Sequence, residues 1–209
     1  MNEEQTRKTG TTTVGLIGKD FIVLGADNRA TAGNLIVSRN AKKIKTINDT
    51  MAITTSGSVS DTQLTKKILT AELKIREIRN DRVSTVKEAA NLLANMTYGN
   101  IRRYVPGFTH FLLGGVDAKG PSLYEVFLDG SLLNVADEQG FIATGSGTPY
   151  ALALMEDNYK EDLNEEEMTK LAERAVRASL KRDSASGNGI DILVIRKEGA
   201  KFLPRIKIE

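Results

Sequence analysis

The sequence contains no cysteine and no tryptophan, and its only histidine is His110. Without cysteine there is no disulfide, no thiolate metal site and no cysteine nucleophile. A histidine metal site would lack partners of its kind, and a Ser-His-Asp triad would have to recruit His110 from the middle of the apolar run Phe108 to Val116. In that setting His110 reads as a partly buried strand residue, and no metal or cofactor is expected. Long hydrophobic runs are missing as well. No window approaches the roughly 20 apolar residues of a membrane span, and the opening MNEEQTRKTG has no apolar stretch of the kind a secretory signal needs. A soluble, cytoplasmic protein without a membrane partner is expected. Lys plus Arg number 29 against 27 Asp plus Glu, a net charge of +2, which lacks the basic excess of a dedicated nucleic-acid binder. Only four prolines occur, with no Ser/Gly-rich linker and no internal repeat, so the 209 residues read as one domain with a substantial core.

What is present begins abruptly after the polar opening. Thr11 to Ile17 and Phe21 to Ala26 are β-branched and apolar, with Gly18, Lys19 and Asp20 between them, which predicts a hairpin. Leu35 to Val37, Lys42 to Ile47 and Met51 to Ser56 read as further short strands. Ser60 to Gln63 has the form of a capping box, followed by Leu64, Ile68, Leu69 and Leu73 at helical spacing. Thr85 to Glu88 is a second box, ahead of Ala89, Leu92, Leu93 and Met96. Strands return at Thr109 to Val116, Leu123 to Leu128, Leu132 to Val135 and Phe141 to Ala143. Thr148 with Pro149 fits an N-cap and first-turn proline, and Asn164 with three glutamates opens a longer helix. Ile190 to Ile195 reads as a buried strand. Strands, two helices, strands, two helices and a strand suggest an α+β layered sandwich, because a doubly wound fold would alternate.

With His and Cys excluded, hydrolytic chemistry narrows to Ser/Lys pairs, paired carboxylates and an amino-terminal nucleophile. The segment Gly10-Thr11-Thr12-Thr13-Val14-Gly15 fits the last. A hydroxyl is a weak nucleophile until a base takes its proton, and a free α-amine on the same residue, with a pKa near ~8, is suited to that. Such chemistry requires the chain to be cut before Thr11. Gly10, without a Cβ, suits the tight backbone that lets Thr11 attack its own preceding carbonyl. The same threonines also read simply as the opening of a strand. Lys43, facing opposite to Ile44 on its strand, would favour the Thr11 alkoxide, with Asp27 orienting it; a solvated edge is the competing reading of Lys42-Lys43. Gly57, between a strand and a helix, is placed to offer its amide to an oxyanion. Thr144 to Pro149 lacks the Gly-Lys-Ser/Thr ending of a phosphate cradle. Arg182-Asp-Ser-Ala-Ser-Gly187 reads either as a polar turn or as a hydroxyl and carboxylate cluster buttressing the amine.

Together these segments resemble the β-subunits of archaeal-type 20S proteasomes. Gly10 to Gly15, Ala26-Asp-Asn-Arg-Ala-Thr-Ala-Gly33, Lys42-Lys43, Ser56-Gly57, Gly145-Ser-Gly147 and Arg182 to Gly187 stand in the family's order, from residue 10 to about residue 195. The resemblance implies a four-layer αββα sandwich of the N-terminal-nucleophile hydrolase type, with residues 1–10 a propeptide and 11–209 the catalytic domain. It implies heptameric β-rings between rings of α-subunits, fed with unfolded protein by an unfoldase ATPase. By position it makes Thr11 the nucleophile and its amine the base, Lys43 and Asp27 the groups that tune it, and the Gly57 amide the oxyanion donor. Ser146, Asp183 and Ser186 would support the amino terminus. Thr31 and Val59 would hold substrate as an added strand through their backbones.

Ala30, Ala41, Thr55 and Val59 would line a mostly apolar pocket for the side chain before the cut bond, favouring hydrophobic residues. Lys45, on the strand face of Lys43, would admit acidic ones. Three rivals remain: the bacterial two-ring threonine peptidase, which the Arg182 to Gly187 segment fits less well; a non-catalytic ring subunit, which would not keep the Gly-Thr junction, Lys43 and Asp27 together; and a binding module using Lys66, Lys67, Lys74 and Arg76 on one helix.

Overall fold

The computed structural model describes residues 10–104 and 106–208, so positions 1–9 of the expected propeptide 1–10 lie outside the described residues. The expected hairpin is formed by β1 (Thr12–Ile17) and β2 (Ile22–Asp27), turned at Gly18, whose N–H donates to the Phe21 carbonyl at 2.9 Å. A two-stranded ribbon of β3 (Ala30–Ala32) and β4 (Leu35–Ser38) stands apart from both main sheets. Next come β5 (Ile44–Asn48), β6 (Met51–Gly57), α1 (Val59–Asn80) and α2 (Val86–Ile101). The second half supplies β7 (Thr109–Asp117), β8 (Gly120–Val126), β9 (Leu132–Asn134), β10 (Phe141–Gly145), α3 (Thr148–Asn158) and α4 (Glu165–Leu180). It ends with β11 (Gly189–Arg196), β12 (Gly199–Phe202) and β13 (Ile206–Lys207).

Two antiparallel sheets result, one in the order β10-β1-β2-β11-β12 with β13 on β11, the other in the order β5-β6-β7-β8-β9. Strand alternation sends Val23 toward α3 and α4, where it packs with Met155, Leu171 and Val176, while Ile22 and Leu24 face Leu112 and Leu123 of the other sheet. Burial on both faces explains why β2 is apolar from Ile22 to Ala26. On the far side, α1 and α2 cover Ile53 and Phe111 with Leu69 and Leu93. The four layers are helices, sheet, sheet and helices, as the family resemblance implied. Among the described residues no helix is long and apolar enough to cross a membrane.

Four local expectations need correction. Helix α1 starts at Val59 with Ser58 as N-cap, and no side chain caps it, so Ser60 to Gln63 is no capping box. The Ser58 N–H donates to the Phe108 carbonyl, which fixes the turn two residues earlier. On the same helix Leu69 and Leu73 are buried, whereas Leu64 and Ile68 are 49% and 43% exposed; Thr62 and Thr65 take the inward positions. Helix α3 is capped by Gly147, whose carbonyl accepts from the Ala151 N–H, while the Thr148 hydroxyl turns back to the Gly145 carbonyl. Finally, Lys43 lies just ahead of β5, not within it, though its carbonyl still accepts from the Thr55 N–H at 2.9 Å.

Candidate active site

Thr11 stands immediately ahead of β1 and is only 4% exposed. Its Oγ donates to the Gly10 carbonyl at 2.6 Å, and the same oxygen accepts from Lys43 Nζ at 3.3 Å. Upstream, the Gly10 N–H donates to Thr31 Oγ at 3.1 Å. A Cβ on Gly10 would stand 1.6 Å from the Cβ of Ala185, so only glycine fits against this wall. Lys43 Nζ also donates to Asp27 Oδ1 at 2.7 Å, and Asp27, the last residue of β2, is fully buried. Its carboxylate is saturated: Oδ1 also accepts from the Thr12 N–H at 2.9 Å, and Oδ2 accepts from the N–H groups of Arg29 and Gly187 at 3.0 and 2.9 Å. Burial pushes the Lys43 ammonium below the ordinary lysine range, and the neighbouring Asp27 opposes that shift.

The nitrogen side of Thr11 is built by a second set of elements. Pairing of β1 with β10 sets Thr12 opposite Gly145, which brings Ser146 beside Thr11. The Thr11 N–H donates to Ser146 Oγ at 3.2 Å, and Ser146 Oγ donates to Asp183 Oδ2 at 2.6 Å. Ser186 Oγ donates to the same carboxylate oxygen at 2.6 Å and lies 2.8 Å from Thr12 Oγ. The turn after α4 is held by Asp183 Oδ1, which accepts from the Ala185 N–H at 3.1 Å. Arg29 ties this turn to β2, donating from Nε to Asn188 Oδ1 at 2.9 Å and from a terminal nitrogen to the Ser184 carbonyl at 2.8 Å.

A cavity of about 320 Å³ opens beside Thr11 and Lys43. Its wall includes every residue expected there: Ala30, Thr31, Ala41, Lys45, Thr55, Gly57 and Val59. Gly57 ends β6 with φ at +101°, and a Cβ on it would stand 2.2 Å from the Phe108 carbonyl oxygen, so the position admits no other residue. Val59 opens α1, and its carbonyl accepts from the Thr62 hydroxyl at 3.0 Å. Lys45 is half-buried, and its ammonium is shifted down by burial and then by Lys66. Val37, Ser38, Thr62 and Gln63 also line the cavity, and none was anticipated.

Sequence reading also missed Thr12, Arg29 and a buried hydroxyl chain in which Thr13 Oγ lies 2.9 Å from Thr54 Oγ and 2.7 Å from Thr144 Oγ. Arg29 stood within the Ala26 to Gly33 motif but carried no local sign of its partner; the hydroxyl chain depends on how the two sheets stack. His110 lies at the start of β7, where Nε2 is 2.8 Å from Glu125 Oε1 and the ring stacks on Phe127. It contributes nothing to the cavity around Thr11.

Comparison with known proteins gives the family. The family model described as proteasome subunit matches residues 7–195. A protein named proteasome subunit beta from Archaeoglobus profundus is 45% identical over 200 residues, covering 96% of this chain and 91% of its own. One of the same name from Methanosphaerula palustris is 42% identical over 209 residues, covering 100% and 96%. Proteasome subunit beta 2 of Aeropyrum pernix is 41% identical over 204 residues, covering 97% and 90%. The chain belongs to the proteasome subunit family, as one of its β-subunits.

Proposed function

We propose that this chain is a threonine endopeptidase of the proteasome core, made as a precursor and activated by cleavage between Gly10 and Thr11. One observation carries the reading: the Thr11 hydroxyl touches the Gly10 carbonyl, whose oxygen also accepts from Lys43, itself held by a saturated Asp27. In the uncut chain, attack of Thr11 Oγ on the Gly10 carbonyl carbon breaks the amide and forms an ester on Oγ. The hydroxyl proton passes to the departing Thr11 nitrogen. Water then hydrolyses the ester, releasing the leader with a Gly10 carboxylate and leaving Thr11 with a free amine.

In the mature chain that amine takes the Thr11 proton, directly or through one water, as Oγ attacks a substrate carbonyl. Lys43 favours the alkoxide electrostatically, and the Gly57 amide meets the developing oxyanion. Ser146, Asp183 and Ser186 hold the amine. Thr31 and Val59 align substrate as an added strand, and the wall of Ala30, Ala41 and Thr55 selects chiefly hydrophobic side chains, with Lys45 admitting acidic ones. The working particle is a cytoplasmic stack of heptameric β-rings enclosed by α-subunit rings and supplied with unfolded proteins by an ATPase.

The test is the intact mass and peptidase activity of purified, assembled protein. Mature wild-type chain should begin at Thr11, and Thr11→Ala should keep its leader and hydrolyse nothing. Turnover by the alanine variant, with contaminating peptidases excluded, rejects the mechanism.

A further inference from the structure

Lys43 reaches Asp27 from just ahead of β5, with its own carbonyl tied to the Thr55 N–H, but the stretch 39–42 before it belongs to neither main sheet and needs a hold of its own. The residue after Asp27 supplies it. Asn28 is 1% exposed; its carbonyl accepts from the Ala41 N–H at 2.8 Å, and its Nδ2 donates to the Ala41 carbonyl at 3.2 Å. Both peptide groups of Ala41, two residues before Lys43, are therefore stapled to the strand that carries Asp27.

The orientation of the Asn28 amide is decided from β11. Nδ2 also donates to Asp191 Oδ2 at 2.8 Å, and Asp191 is 7% exposed. A flipped amide would turn its oxygen toward that carboxylate and withdraw the donor from Ala41. Asn28 Oδ1 is buried without a partner among the described residues, so the orientation is maintained against the cost of an unsatisfied acceptor. Asp191 is in turn clamped by Arg205, which donates from Nε to Oδ1 at 2.6 Å and from a terminal nitrogen to Oδ2 at 2.8 Å. The remaining guanidinium nitrogen contacts Asn40 Oδ1, on the same cavity-wall loop as Ala41. A bidentate fork fixes direction as well as distance.

We infer that Asp191 and Arg205 are positioning residues for Lys43, acting through Asn28 and the 39–43 loop. The inference rests on the catalytic reading of Lys43 given above. Neither residue lines the cavity beside Thr11. The pair joins the last strands of the chain to the loop that carries the lysine.

A matched control exists on the same strand. Arg196, at the other end of β11, makes its own two-pronged pair with Glu165, away from the cavity. Assembled particles carrying Asp191→Asn, Arg205→Gln or Arg196→Gln should be compared with wild type for peptide kcat and KM. Alongside, the rate of Lys43 modification by an amine-reactive reagent should be followed by peptide mass spectrometry. Asp191→Asn and Arg205→Gln should lower kcat about tenfold, equivalent to one pKa unit of misplaced charge interaction, with KM changed less than about twofold. Lys43 modification should rise about tenfold in the same variants, and Arg205→Lys should recover part of both. Arg196→Gln should lower thermal stability comparably and alter neither. Wild-type kcat or unchanged Lys43 modification in Asp191→Asn and Arg205→Gln overturns the inference, as does an equal loss in Arg196→Gln. A wild-type particle that hydrolyses no peptide rejects the catalytic reading instead, while the modification rates still decide the clamp.

Discussion

At the residue scale, the Lys43–Asp27 pair is asymmetric in a way that fixes how its two halves respond to mutation. Asp27 accepts three backbone N–H groups besides Lys43, from Thr12, Arg29 and Gly187. Among the described residues Lys43 Nζ donates, besides Asp27, only to the Gly10 carbonyl. Breaking a buried pair from one side costs about 3–5 kcal/mol when a bare charge is left behind. Asp27→Ala leaves that bare charge and removes the anchor of three amides, so it should fall at or above the top of this range. Lys43→Ala leaves a carboxylate still held by three donors, so it should fold with a smaller loss and yet fail to hydrolyse peptide. Denaturant unfolding of both variants checks the order; a larger loss in Lys43→Ala would contradict it. Lys45 lines the cavity and is half-buried. Lys45→Met should therefore lower turnover of peptides with Glu before the cut bond, relative to Leu, by about tenfold, or about 1.4 kcal/mol.

At the scale of elements, the start of α2 offers a measurable device. Thr85 Oγ accepts from the Glu88 N–H at 3.2 Å, and Glu88 Oε2 accepts from the Thr85 N–H at 2.8 Å. Thr85→Ala should destabilise the protein by about 1 kcal/mol. The Arg82 guanidinium and the Thr85 N–H hold the Glu88 carboxyl down to about 2, from an ordinary value of 4.5. A depressed folded pKa means the unfolded chain takes up the proton first, so this support is present above pH 4.5 and is lost as pH falls toward 2. The melting gap between wild type and Glu88→Gln should accordingly narrow across that window, and salt should shrink it, because Arg82 and Glu88 are both partly exposed. The box at Thr85 and the helix start at Asn164 were legible in the sequence because each is set within four residues; that Asn164 also closes a box is a finding of the structure. The same pattern at Ser60 failed because Gly57 and the Ser58–Phe108 bond start the helix earlier, and that bond joins distant parts of the chain. Strands β12 and β13 are short edge pieces defined by pairing to β11, which no local periodicity encodes.

At the scale of the whole molecule, two sheets stacked face to face bring residues from both ends of the chain to one rim. Thr11, Asp27, Lys43 and the turn at 183–186 could be picked out because each sits in a short run of unusual composition. The Asn28–Asp191–Arg205 chain and the Thr13–Thr54–Thr144 hydroxyls could not, since they depend on register between strands far apart in sequence and, for Thr54, on how the sheets stack. Maturation is expected to depend on assembly: chain purified alone should keep its leader, and mixing with an α-subunit partner should yield the shorter mass together with peptidase activity. Thr12 is already moored on two sides, its amide to Asp27 and its hydroxyl to Ser186, one residue downstream of the junction. Under the proposed cleavage after Gly10, covalent mass would leave a scaffold whose contacts to Thr12 are already in place. The new terminus would then inherit its seat, and activation would proceed by subtraction with no refolding step.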